Sequence, residues 1–227
     1  MQNKNYPTLA VLGGTGKEGS GLALRWANAG YTVILGSRSA EKAAEKAQEI
    51  NQAIGKDTIR GMDNISAAKE ADISILTVPF AAQRPTVEDV RQALSGKILV
   101  DVTVPLVPPK VAQVQLPNGG SAVNAIQKFL GDDVKVVSAF QNISAHHLKD
   151  LDYKFDCEVL VCGNDVDACE QVIELSESIG LPAWYAGVLA NSVVTEGLTS
   201  VLIAINRRYK VPSAGIRLTG VKKPEGK

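Results

Sequence analysis

The feature that most constrains this chain is Gly13-Gly14-Thr15-Gly16-Lys17-Glu18-Gly19-Ser20. It follows the apolar run Leu9-Ala10-Val11-Leu12 and precedes an apolar-periodic segment that begins at Gly21-Leu22. The order reads as a strand, a tight turn and a helix start. Gly14, Gly16 and Gly19 keep the G-x-G-x-x-G spacing, which lets a backbone turn sharply, approach a pyrophosphate and pack a helix on its strand. A phosphate placed there meets free helix N–H groups and the positive end of the helix dipole.

A helix predicted over 17–28 has an apolar side of Leu22, Leu24, Trp26 and Ala27, and Gly30 stands where a helix C′ residue belongs. Tyr31 to Gly36 is then a short β-branched run, read as a buried parallel strand. An NAD site places a carboxylate at the end of such a strand to hold the ribose 2′-hydroxyl. This chain has Ser37-Arg38-Ser39, with no acid before Glu41. A hydroxyl and a guanidinium fork instead hydrogen-bond a 2′-phosphate, at about 1.5–3 kcal/mol per charged contact. The expected cofactor is therefore NADP, with Lys42, one helical turn beyond Arg38, closing over the same phosphate.

Strand and helix signals alternate through the rest of the chain. Strands are predicted near 58–62, 73–78, 97–102, 134–140, 159–163 and 182–187, the last at a sheet edge because it begins with proline. Helices are predicted over 41–54 and 64–71, through Val87 to Leu94, and over 121–130, 165–179 and 190–209. This is a doubly wound, mostly parallel Rossmann-type α/β fold with a C-terminal helical extension, read as a single domain over 1–227. Ligands in such sheets lie outside the carboxyl ends of strands, so Thr77, Val78, Pro79 and Phe80 are expected to border the cofactor and the exit at Gln141 to face the same side. The rigid loop Pro105-Leu106-Val107-Pro108-Pro109 is a candidate wall, and Asp101 reads as a loop anchor. The helix over 190–209 is apolar on more than one side, so it is expected to pack on its own sheet and on a second subunit of a homodimer. The tail 220–227 is expected to be mobile.

Composition narrows the function. Lys plus Arg and Asp plus Glu both number 24, so no global field draws the chain to nucleic acid or an anionic membrane. The N-terminus lacks a signal-peptide apolar region and no run reaches spanning length, which points to the cytoplasm. Cys157, Cys162 and Cys169 have neither C-x-x-C spacing nor an even count, and the adjacent His146 and His147 lack acidic or thiol partners, so no metal site is expected. Gly16-Lys17 is followed by Glu18 instead of Ser or Thr, against a P-loop, and no tyrosine has a lysine four residues on, against a short-chain dehydrogenase.

The segments Leu12-Gly13-Gly14-Thr15-Gly16, Gly36-Ser37-Arg38, Leu76-Thr77-Val78-Pro79, Val137-Ser138-Ala139-Phe140, Val161-Cys162-Gly163-Asn164-Asp165 and Ala190-Asn191-Ser192 resemble, in order, those of the coenzyme F420-dependent NADP reductases. The resemblance implies hydride exchange between a deazaflavin and the nicotinamide of NADP. It implies that Thr15, Gly16, Lys17 and Glu18 bound the pyrophosphate and Ser37, Arg38 and Lys42 the 2′-phosphate. It further implies that Phe80 and Ala145 border the nicotinamide side, and Ile143 and Ala214 the deazaflavin. Gln141 and Phe80 stand where the family often has histidine and tryptophan. Ring-to-ring hydride transfer needs no protein nucleophile, so no catalytic acid or base is expected. Thr77 and Gln141 are candidates to polarise a ring carbonyl, with a structural hydroxyl and a solvent-facing amide as the alternatives. The NADPH domain of the STEAP metalloreductases is similar in the same segments, which leaves an NADPH-dependent reductase of a flavin or ferric complex as a second reading. A non-catalytic NADP-sensing protein is a third.

Overall fold

The computed structural model describes residues 6–222, so the last five residues of the tail expected to be mobile lie outside the described residues. The strands are β1 (Leu9–Leu12), β2 (Val33–Ser37), β3 (Ile59–Asp63), β4 (Ile73–Leu76), β5 (Ile98–Asp101), β6 (Lys135–Ser138), β7 (Val159–Gly163) and β8 (Ala183–Tyr185). The helices are α1 (Lys17–Asn28), α2 (Ala40–Ile54), α3 (Asn64–Glu70), α4 (Phe80–Val90), α5 (Ala122–Leu130), α6 (Val166–Glu177) and α7 (Ser192–Tyr209). Short 3-10 turns follow α4 and precede α7.

The eight strands form one sheet in the order β3-β2-β1-β4-β5-β6-β7-β8. β1 to β6 are parallel, and the sheet turns antiparallel between β6 and β7, after which β8 pairs parallel with β7. β1, β2 and β4 are buried along their whole length, as strands covered on both faces must be. Two apolar layers follow, one on each face of the sheet. Leu22, Trp26, Val33, Ile75 and Val161 belong to one, and Leu12, Ile34, Leu76, Leu99 and Ile126 to the other.

The chain direction places a crevice where β1 lies between β2 and β4, because the β1 connection leaves to one side and the β4 connection to the other. Helix ends show which termini are free. Ser39, Asp63, Ser121 and Asp165 cap α2, α3, α5 and α6 with their side chains, whereas α1, α4 and α7 have no side-chain cap; of these, α1 and α4 start at the exits of β1 and β4. The cap of α3, Asp63, is also the last residue of β3, so strand and helix join without a loop.

Helix α7 is tied inward by Glu196. Its buried carboxylate accepts from the Ser121 hydroxyl (2.6 Å), Ala122 N (2.8 Å) and Val123 N (3.2 Å), at the start of α5. Burial pushes the Glu196 carboxyl up, partly offset by those donors. The span Leu189–Tyr209 is long and apolar enough to cross a membrane by length and composition alone. Opposite the Glu196 side, Val194, Val201 and Ile205 leave an exposed apolar stripe.

Candidate active site

The glycine turn is built by close packing. Gly13 adopts φ +74°, and a Cβ there would come 2.5 Å from Val78 Cγ1. A Cβ on Gly14 would lie 2.7 Å from Leu35 Cδ2 and from Val11 O. One on Gly19 would overlap Thr77 Oγ1 and lie 2.9 Å from Gly14 Cα, so this glycine lets α1 press against the exit of β4. Gly16 differs. It is exposed at the N-cap of α1, with extended backbone, and the first atom that an added Cβ would meet is Gly13 O, at 3.6 Å. The protein itself leaves the space over Gly16 open, and the first N–H groups of α1 open into it. That is the fit a pyrophosphate requires. Asn64 supports the turn from α3, accepting from Gly13 N at 3.3 Å; at a separation of 51 residues, nothing local in the sequence marks that contact.

At the exit of β2, Ser37 is buried and its hydroxyl accepts from Ser39 N at 3.3 Å. Ser39 caps α2 through Lys42 N and donates to Glu41 Oε2 at 2.7 Å, so the nearest acid is engaged by the turn. Arg38 and Lys42 are not buried, and neither forms an ion pair among the described residues. Two unpaired cations flanking a serine, with the carboxylate held aside, match a phosphate better than a ribose hydroxyl.

A cleft of about 670 Å³ extends from this turn across the sheet. Gly16, Lys17 and Glu18 stand at one end; Thr77, Val78, Pro79 and Phe80 follow, and Gln141, Ile143 and Thr199 close the other. Leu106 and Pro108 of the proline-rich loop form a wall, as the rigidity of that loop suggests. The structure thus brings most of the sequence-predicted residues to one cavity. Ser37, Arg38 and Lys42 lie outside it at the β2 exit. Ala145 packs against the core, and Ala214 lines neighbouring cavities instead.

Two side chains with open alternatives can now be read. The Thr77 hydroxyl donates to Leu12 O at 3.0 Å, which makes it a strap between β4 and β1. Gln141 is buried, not solvent-facing, and its Nε2 donates to Asp101 O at 2.7 Å. A carbonyl only accepts, so the amide orientation is fixed and Oε1 is left without a partner. Asp101 is the anchor of this corner: its carboxylate accepts from Gln83 Nε2 (2.6 Å) and Thr103 N (2.9 Å). Complete burial pushes its carboxyl up to about 6. Preceding Gln141, Phe140 holds φ +70°, a strained conformation for a bulky residue, with its ring packed edge-on to Trp26. Glu18, half-buried beside the cleft, has its carboxyl pushed up to about 8 by desolvation. Its acid proton removes the repulsion toward a pyrophosphate that its formal charge suggests.

The cysteines are free thiols, with Cys162 and Cys169 pushed up to about 11 and about 12 by burial. Among the described residues no group of three or more His, Cys, Asp or Glu side chains is placed to hold a metal. A glycine turn at a sheet switch point, free cations at the end of β2 and a cleft continuing past β4 define a Rossmann-type NADP-dependent oxidoreductase.

Comparison with known proteins sharpens this. Residues 8–105 match the family model of NADP oxidoreductase, coenzyme F420-dependent. The F420-dependent NADP reductase of Methanocaldococcus jannaschii is 42% identical, covering 94% of this chain and 99% of its own length. That of Methanothermobacter marburgensis is 41% identical, over 94% of this chain and 98% of its own. Rat metalloreductase STEAP3 is 26% identical over 92% of this chain, which corresponds to 39% of that protein. A solved structure of a proposed F420-dependent NADP reductase from an Arthrobacter species superposes with a TM-score of 0.78 over 94% of this chain and 100% of its own, at 23% identity, which supports the fold. The chain belongs to the F420-dependent NADP reductases.

Proposed function

We infer that the cleft is where the chain exchanges a hydride between reduced coenzyme F420 and NADP, as membership of the family indicates. The observation that carries this reading is the continuity of one cavity from the phosphate-ready Gly16 turn, past Thr77 to Phe80, to Gln141, Ile143 and Thr199. When bound, NADP and F420 supply two ring carbons between which a hydride passes. The protein's share is positioning: holding those carbons about 3–3.5 Å apart and keeping water out. In this reading the α1 N–H groups and Lys17 hold the pyrophosphate, and Ser37, Arg38 and Lys42 hold the 2′-phosphate. Val78, Pro79 and Phe80 support the nicotinamide, while Ile143 borders the second ring. The Thr77 hydroxyl, already donating to Leu12 O, braces the turn and polarises nothing.

The same reading assigns the chain to the cytoplasm as a single-domain homodimer that binds neither nucleic acid nor membrane. The formal net charge of zero supports the reading without nucleic acid, and the exposed stripe Val194, Val201 and Ile205 supports the dimer. The experiment is to mix each donor with each acceptor and follow the deazaflavin absorbance. Turnover with F420 and NADP is expected; none with F420, beside brisk turnover with free flavin, would transfer the chain to the flavin-reductase reading.

A further inference from the structure

Of the residues that line the cleft, only Lys17 and Glu18 ionise, and both stand at the glycine end. Behind the uncharged opposite end lies a carboxylate. Asp101, the last residue of β5, is completely buried, and its Oδ1 accepts from the backbone N–H of Thr103, which lines the cleft. Its Oδ2 accepts from Gln83 Nε2 on α4, the helix that opens with the cleft residues Phe80 and Ala81. Its main-chain carbonyl takes Gln141 Nε2, and Gln141 O takes the Thr199 hydroxyl, both at 2.7 Å. Asp101 therefore ties α4, the exits of β5 and β6, and α7 around the space beyond Pro79.

The hydrogen bonds are those of an ionised group. Both carboxylate oxygens accept, and neither is bonded to an acceptor that would take a carboxylic proton. Burial pushes the carboxyl up to about 6, against the pull of Thr103 and Gln83, which is still on the ionised side of neutrality. Among the described residues Asp101 belongs to no ion pair. The other buried acid of this region, Glu196, acts on Asp101 from α7 and adds to the rise. Its own carboxylate, however, is met by the Ser121 hydroxyl and the first N–H groups of α5. Asp101 has a side-chain amide and one backbone N–H instead. An unpaired buried charge is costly, and an asparagine would keep the Thr103 bond without that cost. Charges retained in this way gather at functional sites.

We propose that Asp101 makes the cleft discriminate between the two redox forms of its cofactor, its field favouring the oxidised nicotinamide, whose ring is cationic, over the neutral reduced ring. This rests on the reading of the cleft as the NADP site, with the nicotinamide beyond Pro79. The walls there, Val102, Val104, Leu106 and Ile143, are apolar, so the field is screened less than it would be through water. The chain thereby captures NADP+ and releases NADPH, the direction in which reduced F420 gives up its hydride.

The test is binding without turnover: the Kd of NADP+ and of NADPH, each alone, by calorimetry on the wild type, Asp101→Asn and Gln83→Lys. Asp101→Asn removes the charge, and Gln83→Lys keeps it but sets an ammonium against Oδ2. Both phosphate groups are common to the two cofactor forms, so the ratio of the two Kd values isolates the ring. Each variant should raise Kd(NADP+)/Kd(NADPH) by about ten-fold, the order expected for unit charges separated by a layer of side chains at an effective dielectric of about 20. For a two-electron couple that raises the midpoint potential of bound NADP by about 30 mV. Thermal melts show which variant keeps its fold, and either one decides. An unchanged ratio, or equal weakening of both forms, would overturn the proposal and leave Asp101 an anchor of its corner, with the NADP reading intact. A wild-type chain that binds neither form would overturn that reading, and this one with it.

Discussion

Replacing Gly16 by alanine separates what the glycine turn does for the fold from what it does for the ligand. The backbone at Gly16, φ −69° and ψ 168°, suits alanine, and the added Cβ would meet only Gly13 O, at ordinary contact distance. The fold should therefore be unchanged within about 1 kcal/mol, the usual scale of a compatible Gly→Ala exchange. The same methyl stands in the space where a phosphate approaches the uncapped start of α1. Losing one backbone-to-phosphate hydrogen bond, about 1.5–3 kcal/mol, weakens NADP by about ten- to a hundred-fold. Gly19→Ala should do the reverse in order of cause: overlap with Thr77 costs about 1–3 kcal/mol of stability through overpacking before any ligand is added. Calorimetric Tm and NADP Kd, measured on both variants, give the comparison. A Gly16→Ala chain that binds NADP as tightly as wild type would refute the phosphate role, and one that unfolds early would show the glycine to be structural.

Other perturbations follow from the buried acids and the exposed stripe. The Glu18 carboxyl is raised to about 8 in the fold from its ordinary 4.5, so the native state holds more protons between those values and stability falls as pH rises across that window. Glu18→Gln should flatten that slope in pH-dependent unfolding and remove a weakening of NADP binding above pH about 8; an unchanged slope would discard the assignment. Glu196→Ala strands Ala122 N and Val123 N, at about 1–3 kcal/mol per buried donor, and should lower Tm by about 5–15 °C. A drop below about 2 °C would mean the cap is dispensable. Arg38→Ala should raise the KM for NADP by about ten-fold and leave that for NAD unchanged, since only the former has a 2′-phosphate; equal losses would remove Arg38 from the site. Val201→Glu should convert a dimer to a monomer in sedimentation, and an unchanged mass would place any interface elsewhere.

What can be read in the sequence is local. The β1 turn and the Ser37-Arg38 exit are each specified within a few residues, and the structure has them where the spacing predicts. The candidate cleft is legible to the extent that strand exits can be counted, which brings Thr77 to Phe80 and Gln141 to one side. The rest depends on contacts distant in sequence. Glu196 caps a helix 74 residues earlier at Ala122, and the sequence offers only an acid within an apolar helix as a hint. The long loop between β6 and the antiparallel β7 is held by Arg25, and no periodicity encodes that guanidinium's carbonyl partners. Ala145 shows the converse limit: its position just after the β6 exit suggests the cleft, but the loop folds back and packs it on the core.

The central claim is that the chain aligns two rings and takes no covalent part in the transfer. F420 reduced with deuterium at C5, turned over with NADP in ordinary water, tests it most directly. Direct ring-to-ring transfer predicts that the deuterium appears at C4 of the NADPH formed, without loss to solvent. Its appearance in water, with unlabelled NADPH as product, would contradict the account.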